Sequence, residues 1–174
     1  MIILITGATH TGKTMLAQRM LEKYKYPLIS IDLLKMGLIR SGLTHLTPED
    51  DDELTEYLWP VIREIIKTAA ENGQDLIIEG CYFPFDWRKD LPESYLEHIR
   101  FICLAMTDRY IDYNIDVIME HASDIEKRPD DDAEFCSPSN LKAMNREYAE
   151  GFRRSGEQVT LIDGDYTAVI DSLL

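Results

Sequence analysis

The feature that most constrains the fold is a glycine-bounded segment that directly follows an apolar run. The run covers residues 1–5 (MIILI), and residues 7–14 read GATHTGKT. This segment satisfies every fixed position of the phosphate-binding loop pattern G-x-x-x-x-G-K-[ST]. Glycines at both ends let the backbone curl around an anion, so that its N–H groups and the following helix N-terminus point at phosphate oxygens. The pattern therefore predicts a strand, a nucleotide-binding loop and a helix, in that order.

Two side chains of the loop suit a complex of ATP with magnesium. Lys13 brings a compact positive charge to the β- and γ-phosphates, and the Thr14 hydroxyl is suited to binding Mg²⁺. ATP and Mg²⁺ are therefore the expected cofactors. An ordinary turn with an accidental lysine is the alternative. The residues expected to bind the nucleotide are Gly7, Thr9, His10, Thr11, Gly12, Lys13, Thr14 and Met15.

Length and charge narrow the choice of partners. A chain of 174 residues with 45% hydrophobic residues fits one domain over residues 1–174. The formal net charge of −14 would repel nucleic-acid phosphates, so we expect no nucleic-acid partner. The apolar N-terminus is too short for a signal peptide, and no apolar stretch approaches membrane-spanning length. These features favour a cytoplasmic protein without a membrane partner and leave the oligomeric state open.

The cysteines favour the same compartment. Cys81, Cys103 and Cys136 are odd in number and show no metal-site spacing. This pattern favours free thiols that act as small apolar residues in a reducing cytosol. A catalytic or zinc-binding role is the alternative.

Short apolar runs alternate with helical patterns along the chain. The further runs cover 27–31, 76–78, 99–105 and 159–162, and the helical patterns cover 54–69, 111–125 and 141–152. Continuous apolar strands separated by helices predict an α/β protein with a three-layer P-loop NTPase fold and a five-stranded, mostly parallel sheet. Its ligand should lie at the carboxyl ends of the strands. Pro60 is expected to kink or split the helix predicted over 54–69, and Gly73 is expected to end it.

Two acidic residues follow predicted strands at the edge that carries the phosphate loop. Asp32 comes after the second strand, where a carboxylate can orient or deprotonate an acceptor hydroxyl during phosphoryl transfer. The alternative is that Asp32 caps a helix beginning at Leu33. Glu79 ends a buried strand, where a carboxylate is costly unless it is hydrogen-bonded or faces a metal hydration shell. We expect Glu79 to act on Mg²⁺ or on the acceptor, unless it simply emerges into solvent.

Further acceptor-binding candidates surround these two carboxylates. Lys35 and Arg40 follow Asp32 on a helical stretch and can bind an anionic or polar acceptor, or form an ordinary solvated face. Residues 81–88 (CYFPFDWR) concentrate aromatic side chains in an expected loop. This loop either walls an acceptor pocket, with Tyr82 and Arg88 as its polar groups, or anchors itself to the core.

Phosphoryl transfer also needs positive charge on the transferred group and a closing element that excludes water. We expect a short lid at about 123–136 with Arg128 as its catalytic arginine, and Arg109 as a second catalytic candidate. The acidic run 130–132 beside Arg128 is equally typical of a solvated tip. Arg146, Arg153 and Arg154 lie on the next predicted helix, and the sequence does not select among them.

Taken together, these features resemble the adenylate, shikimate and gluconate kinase group of small P-loop kinases over essentially the whole chain. The resemblance implies an ATP-dependent kinase that transfers the γ-phosphate to a hydroxyl or phosphate of a small-molecule acceptor. Asp32 is similar in position to the acceptor-hydroxyl Asp of shikimate kinase and to the base of chloramphenicol phosphotransferase, polynucleotide kinase and zeta-toxin kinases. A 2-phosphoglycerate-kinase-like activity is also compatible with the resemblance.

The resemblance does not extend to the acceptor loops of adenylate kinases. Those enzymes are expected to carry Thr-Gly-Asp and Asp-Gly-Phe-Pro-Arg at the places held here by residues 30–32 (SID) and 79–84 (EGCYFP). A nucleoside monophosphate acceptor is therefore disfavoured. The alternative from another class is a P-loop ATPase or nucleotide switch that acts on a protein partner, although the Asn-Lys-x-Asp stretch of GTPases is absent from the sequence.

Overall fold

A computed structural model describes residues 1–121 and 136–174. The strands are β1 Ile2–Gly7, β2 Leu28–Ser30, β3 Leu76–Glu79, β4 Ile99–Met106 and β5 Val159–Ile162. The helices are α1 Lys13–Tyr24, α2 Ile31–Arg40, α3 Asp51–Glu71, α4 Glu93–Leu96, α5 Asp108–Glu120, α6 Pro138–Arg154 and α7 Tyr166–Leu173, with a 3₁₀ helix at Trp87–Asp90.

Within these residues the strands form one parallel five-stranded sheet in the order β2-β3-β1-β4-β5. Alternate residues of β1 face opposite layers, as the twofold period of a strand requires. Ile2 and Leu4 lie in a core that includes α3 and Phe152 of α6, whereas Ile3 and Ile5 lie in a core with α1 and α7. The predicted three-layer α/β fold with a five-stranded parallel sheet is confirmed.

The loop after β3 is anchored by aromatic packing. Trp87 is fully buried and stacks on Phe101 of β4 with ring centroids 5.1 Å apart. Phe83 meets Trp59 of α3 edge to face at 6.1 Å. These contacts fit the core-anchoring interpretation of residues 81–88, and they hold the chain rigidly where it leaves the carboxyl end of β3.

The predicted split of α3 at Pro60 is wrong, because the helix runs without a break from Asp51 to Glu71. Pro60 is exposed, and so is Glu56, whose carbonyl loses its helical partner. Water can satisfy that carbonyl, so the helix continues through the proline. The predicted pattern at 111–125 corresponds to α5 as far as Glu120, and its end lies outside the described residues. No helix in the described ranges is long and apolar enough to cross a membrane.

Two glycines offer a test of how tightly the sheet edge is packed. A Cβ added at Gly7, which has φ 149°, would lie 2.2 Å from the Leu104 carbonyl oxygen of β4, whereas one added at Gly37 of α2 would meet nothing within 4 Å. Gly7→Ala should lower the free energy of unfolding by about 2 kcal/mol or more, because backbone atoms must move. Gly37→Ala should raise it by about 0.5 to 1 kcal/mol through helix propensity.

Denaturant unfolding of both variants and the parent chain measures these changes. Equal effects of the two substitutions would contradict the close packing of β1 against β4.

Candidate active site

The glycine-bounded loop joins β1 to α1 at the carboxyl edge of the sheet. Its lysine is held inside the loop: the Lys13 ammonium donates a 2.9 Å hydrogen bond to the Ala8 carbonyl, and the residue is only 9% exposed. The Thr11 hydroxyl donates to the same carbonyl at 2.8 Å. No side chain caps the N-terminus of α1. The first N–H groups of the helix therefore point into the loop, where an anion can accept their hydrogen bonds.

Gly12 is required at the end of the loop for two reasons. It has φ 82°, in the left-handed region that favours glycine, and a Cβ there would lie 1.8 Å from the Tyr166 hydroxyl oxygen. Burial raises the pKa of Tyr166 to about 12, so its hydroxyl stays protonated beside the loop. Tyr166 belongs to α7, far away in sequence. Nothing in the local sequence marks it as a neighbour of the loop.

The remaining loop residues differ in their surroundings. His10 has φ 63°, and its Nδ1 lies 2.9 Å from the Thr9 hydroxyl. Its Nε2 lies 3.9 Å from the Cys136 sulfur. Met15 points away from the loop and packs against the α1 and α7 core. The structure thus places Thr9 and His10 at the loop surface, next to the first described residue after the gap.

A magnesium-compatible pair of oxygens lies beneath the loop. The Thr14 hydroxyl donates a 3.2 Å hydrogen bond to Glu79 Oε2 at the end of β3, and Glu79 is fully buried. The alternative that Glu79 simply emerges into solvent is therefore wrong. No cluster of three metal-ligating side chains exists in the described residues. One hydroxyl and one carboxylate fit Mg²⁺, because this ion is usually held by one or two protein oxygens together with phosphate oxygens and water.

A hydrogen-bonded network begins at Asp32. The Lys35 ammonium lies 2.7 Å from Asp32 Oδ1 and donates at 2.7 Å to the Tyr82 hydroxyl, which donates in turn at 3.0 Å to Asp51 Oδ1. Lys35 and Tyr82 are 9% and 3% exposed. Asp32 lies inside the first turn of α2, which begins at Ile31, so the interpretation of Asp32 as a helix cap is wrong.

Cys81 follows the end of β3 by two residues, at the edge of the sheet that carries the loop. Burial raises its pKa to about 11, and charges on Lys13, Asp32, Asp51 and Lys35 act on it more weakly. The Tyr148 hydroxyl of α6 donates to the Cys81 carbonyl at 3.0 Å. Glu79, which accepts from Thr14 of the loop, pairs in register with Ser30. Asp32 follows Ser30 by two residues, so the phosphate loop and the Asp32 network lie at one edge of the sheet. A protonated thiol is no nucleophile, which disfavours the catalytic role for this cysteine.

The arginines predicted for the site make no contact with the Asp32 network among the described residues. Arg88 forms a paired hydrogen bond with Glu157 at 2.5 and 3.2 Å and lies over the Trp87 ring. Arg40 is exposed at the last turn of α2. Arg109 binds Asp163 at the ends of β4 and β5, with the closest approach at 2.7 Å. Arg128 and the expected lid at 123–136 lie outside the described residues, apart from Cys136.

Sequence reasoning missed Asp51 as a member of the site. It lies in the acidic run 50–53, which is typical of the solvated first turn of a helix. Only the long-range contact with Tyr82 distinguishes Asp51 from its neighbours. Lys35 and Tyr82 were candidates, and the structure brings them together.

Comparisons with known proteins agree with this architecture. The chain resembles a protein from Chloroflexus aurantiacus j-10-fl that is provisionally named a kinase (TM-score 0.57, 20% identity, covering 99% of this chain and 95% of that one). It also resembles a gluconokinase from Sinorhizobium meliloti 1021 (TM-score 0.55, 18% identity, covering 99% of this chain and 88% of that one). A shikimate kinase from Aquifex aeolicus vf5 is similar with a TM-score of 0.50 and 14% identity, and the match covers 99% of this chain and 93% of that one.

No family model matches the chain, and no curated protein matches its sequence. At these identities the solved structures show a shared fold, which is that of the small P-loop kinases.

The Cys81 environment predicts slow thiol chemistry. With a pKa of about 11, the thiolate fraction at pH 8 is about 100-fold smaller than for an ordinary thiol. Alkylation by iodoacetamide should be slower by about that factor and should rise about tenfold per pH unit between pH 8 and 10. Mass spectrometry of the Cys81 peptide measures the rate of alkylation at each pH. The urea-unfolded chain is the control and should level off above pH 9; the same pH profile in both states would contradict the prediction.

Proposed function

We propose that the chain is an ATP-dependent kinase that transfers the γ-phosphate of Mg²⁺-bound ATP to a hydroxyl group of a small molecule. The observation that carries the proposal is the sheet edge that the phosphate loop and Asp32 share. Glu79 accepts a hydrogen bond from Thr14 of the loop and pairs in register with Ser30, two residues before Asp32. The fold shared with small-molecule kinases supports the same conclusion.

The loop residues supply the nucleotide site in this proposal. Backbone N–H groups between Gly7 and Gly12 and the α1 N-terminus bind phosphate oxygens. Lys13 exchanges its hydrogen bond to the Ala8 carbonyl for the β- and γ-phosphates, since a charge-assisted bond is stronger than a bond to a neutral carbonyl. Thr14 and Glu79 would hold Mg²⁺, which would supply positive charge that offsets the charge of the phosphates.

Asp32 serves the acceptor. Lys35 occupies its Oδ1, which leaves Oδ2 for a hydroxyl group. The acceptor oxygen attacks the γ-phosphorus while the bond from that phosphorus to the bridging oxygen of ADP breaks. The hydroxyl proton passes to Asp32 and then to water. The products are ADP and a phosphate monoester, with no covalent enzyme intermediate.

Positive charge for the transferred group comes from arginines in this proposal. Arg109 lies at the loop edge of the sheet, next to the end of β5. Arg128 belongs to the proposed lid. Both are proposed to stabilise the charge on the passing phosphoryl group.

The lysine of the loop tests the nucleotide half of the proposal. Lys13→Ala should lower ATP affinity about 10- to 100-fold, because a charge-assisted interaction with phosphate is lost. Transfer should be nearly abolished, and the fold should persist. Titration calorimetry with Mg²⁺ and ATP measures the affinity. Lys67→Ala removes the same charge from a partly exposed ion pair with Glu64 on α3 and should leave affinity unchanged. Equal affinity in the Lys13→Ala variant and the parent chain would refute the nucleotide site.

The acceptor half depends on Asp32. Asp32→Asn keeps the shape of the side chain and removes the basic carboxylate, so kcat should fall by about 10² to 10⁴ while ATP affinity is retained. The assay is phosphate transfer to an acceptor found by screening hydroxyl-bearing metabolites with labelled ATP.

The control separates chemistry from stability. Asp32→Asn also leaves the Lys35 charge without its carboxylate, which costs stability. The double variant Asp32→Asn with Lys35→Met removes both charges and should recover much of the lost melting temperature without recovering kcat. Recovery of kcat together with stability would mean that Asp32 acts only on the fold.

A further inference from the structure

The phosphate loop contains two residues with left-handed backbone conformations, His10 with φ 63° and Gly12 with φ 82°. Glycine has the widest range of backbone conformations, so Gly12 loses the most freedom when the loop takes its anion-binding shape. A contact that already holds Gly12 in this shape lowers the entropic cost of binding a ligand. The surroundings of Gly12 therefore bear on the affinity of the loop.

Support from within the loop comes from the Ala8 carbonyl. The Lys13 ammonium and the Thr11 hydroxyl both donate to this carbonyl. In the proposed nucleotide complex, Lys13 leaves the carbonyl for phosphate oxygens, and of these two bonds only that of Thr11 remains. A contact that holds the loop both with and without its ligand must therefore come from another element.

Tyr166 at the start of α7 makes such a contact. Its hydroxyl oxygen lies 1.8 Å from the place that a Cβ of Gly12 would take, and its ring carbon Cζ lies 3.0 Å from the same place. The Gly12 backbone therefore cannot move toward the tyrosine. Burial raises the pKa of Tyr166 to about 12, so the tyrosine brings no negative charge to the anion-binding loop at neutral pH.

The position of Tyr166 is fixed from two sides. Its ring packs against the core of α1 and α7 and also against a second core, which includes Tyr110 of α5 and Leu141 of α6. An ion pair between Arg19 and Asp171 holds α7 on α1. A side chain that is packed in this way can act as a fixed stop for Gly12.

We propose that Tyr166 is a positioning residue for the phosphate loop, which holds Gly12 in the conformation that binds phosphate and makes no contact with the base or ribose of the nucleotide. This inference rests on the proposed nucleotide site. In this role, Tyr166 affects the affinity for a chain of phosphates whether or not a nucleoside is attached to it. A tyrosine that contacts the base or ribose affects nucleotides alone.

A ligand without a nucleoside tests this role. Tyr166→Phe removes the oxygen and keeps the ring in both cores. Titration calorimetry with Mg²⁺ should show that ATP and tripolyphosphate both bind about three- to tenfold more weakly than to the parent chain. Tyr26→Phe removes a hydroxyl beside the same α1 and α7 core, just beyond the far end of α1, and should change neither affinity.

Two outcomes of this titration would overturn the proposal. Weaker binding of ATP with unchanged binding of tripolyphosphate would mean that Tyr166 acts on the nucleoside. Unchanged binding of both ligands would mean that it does not act on the loop.

The melting temperature and the kinetic constants separate positioning from a general loss of stability. Tyr166→Phe should lower the melting temperature by no more than about 3 °C. In the transfer assay KM for ATP should rise about three- to tenfold while kcat stays within about twofold, because binding is weakened equally in the ground state and the transition state. A fall in kcat with an unchanged KM would contradict the role.

Adding the missing Cβ tests the contact itself. Gly12→Ala should lower the melting temperature of the parent chain by about 4 °C or more, because the new carbon collides with the Tyr166 oxygen and alanine is strained at this φ. In the Tyr166→Phe chain the same substitution should cost about 2 °C less, since that oxygen is gone. Equal losses in the two chains would show that the oxygen does not restrain Gly12, and the proposal would fall.

The same measurements distinguish this inference from the kinase proposal. A chain that binds ATP and tripolyphosphate with the expected dependence on Tyr166, yet phosphorylates no hydroxyl compound in the wider screen, supports the inference and contradicts the kinase proposal. A parent chain that binds neither ligand contradicts the nucleotide site and the role of Tyr166 together.

Discussion

Because all strands of the described sheet are parallel and β1 lies between β3 and β4, the loop that follows β1 is flanked by the ends of its two neighbours. Glu79 at the end of β3 thereby comes within hydrogen-bonding distance of Thr14. The chain leaving β2 brings Asp32 to the same edge. The loop binds tightly against β4 as well, since Gly7 leaves no room for a side chain beside Leu104. Strand order thus determines which chemical groups meet at the site.

The proposed acceptor side depends on one buried tyrosine. Tyr82 follows β3, and its hydroxyl joins Lys35 of α2 to Asp51 of α3, so three separate elements are linked through a single group. Without Tyr82, the nearly buried Lys35 would keep only Asp32 as a partner, which is costly for a desolvated charge. The aromatic side chains that follow Tyr82 fix its position, because Trp87 and Phe83 are held in the core. The same loop therefore anchors to the core and contributes to the site.

Local signals were enough to predict the sheet and to place the glycine-bounded loop and Asp32 after the strands β1 and β2. The glycine pattern and the apolar runs report on backbone needs that are local in sequence, and the observed strands match them closely. Asp51, Tyr166 and the Arg88–Glu157 pair were not predictable, because each depends on a partner at least 31 residues away. The helix continues through Pro60 because the Glu56 carbonyl, which lacks an N–H partner at residue 60, is exposed to solvent.

The two sides of the proposed site differ in how their charges are held. Arg109 and Arg146 are paired with Asp163 and Asp108, and both arginines are largely exposed, at 66% and 62% of their side chains. Exposed ion pairs are worth only about 0 to 1 kcal/mol, whereas hydrogen bonds from arginine to a charged phosphate are worth about 1.5 to 3 kcal/mol. In the proposed reaction, arriving phosphate charge would therefore draw Arg109 away from Asp163 at little cost. The largely buried Asp32–Lys35 pair has no such freedom, and this rigidity would keep the carboxylate in one position for the proposed acceptor hydroxyl.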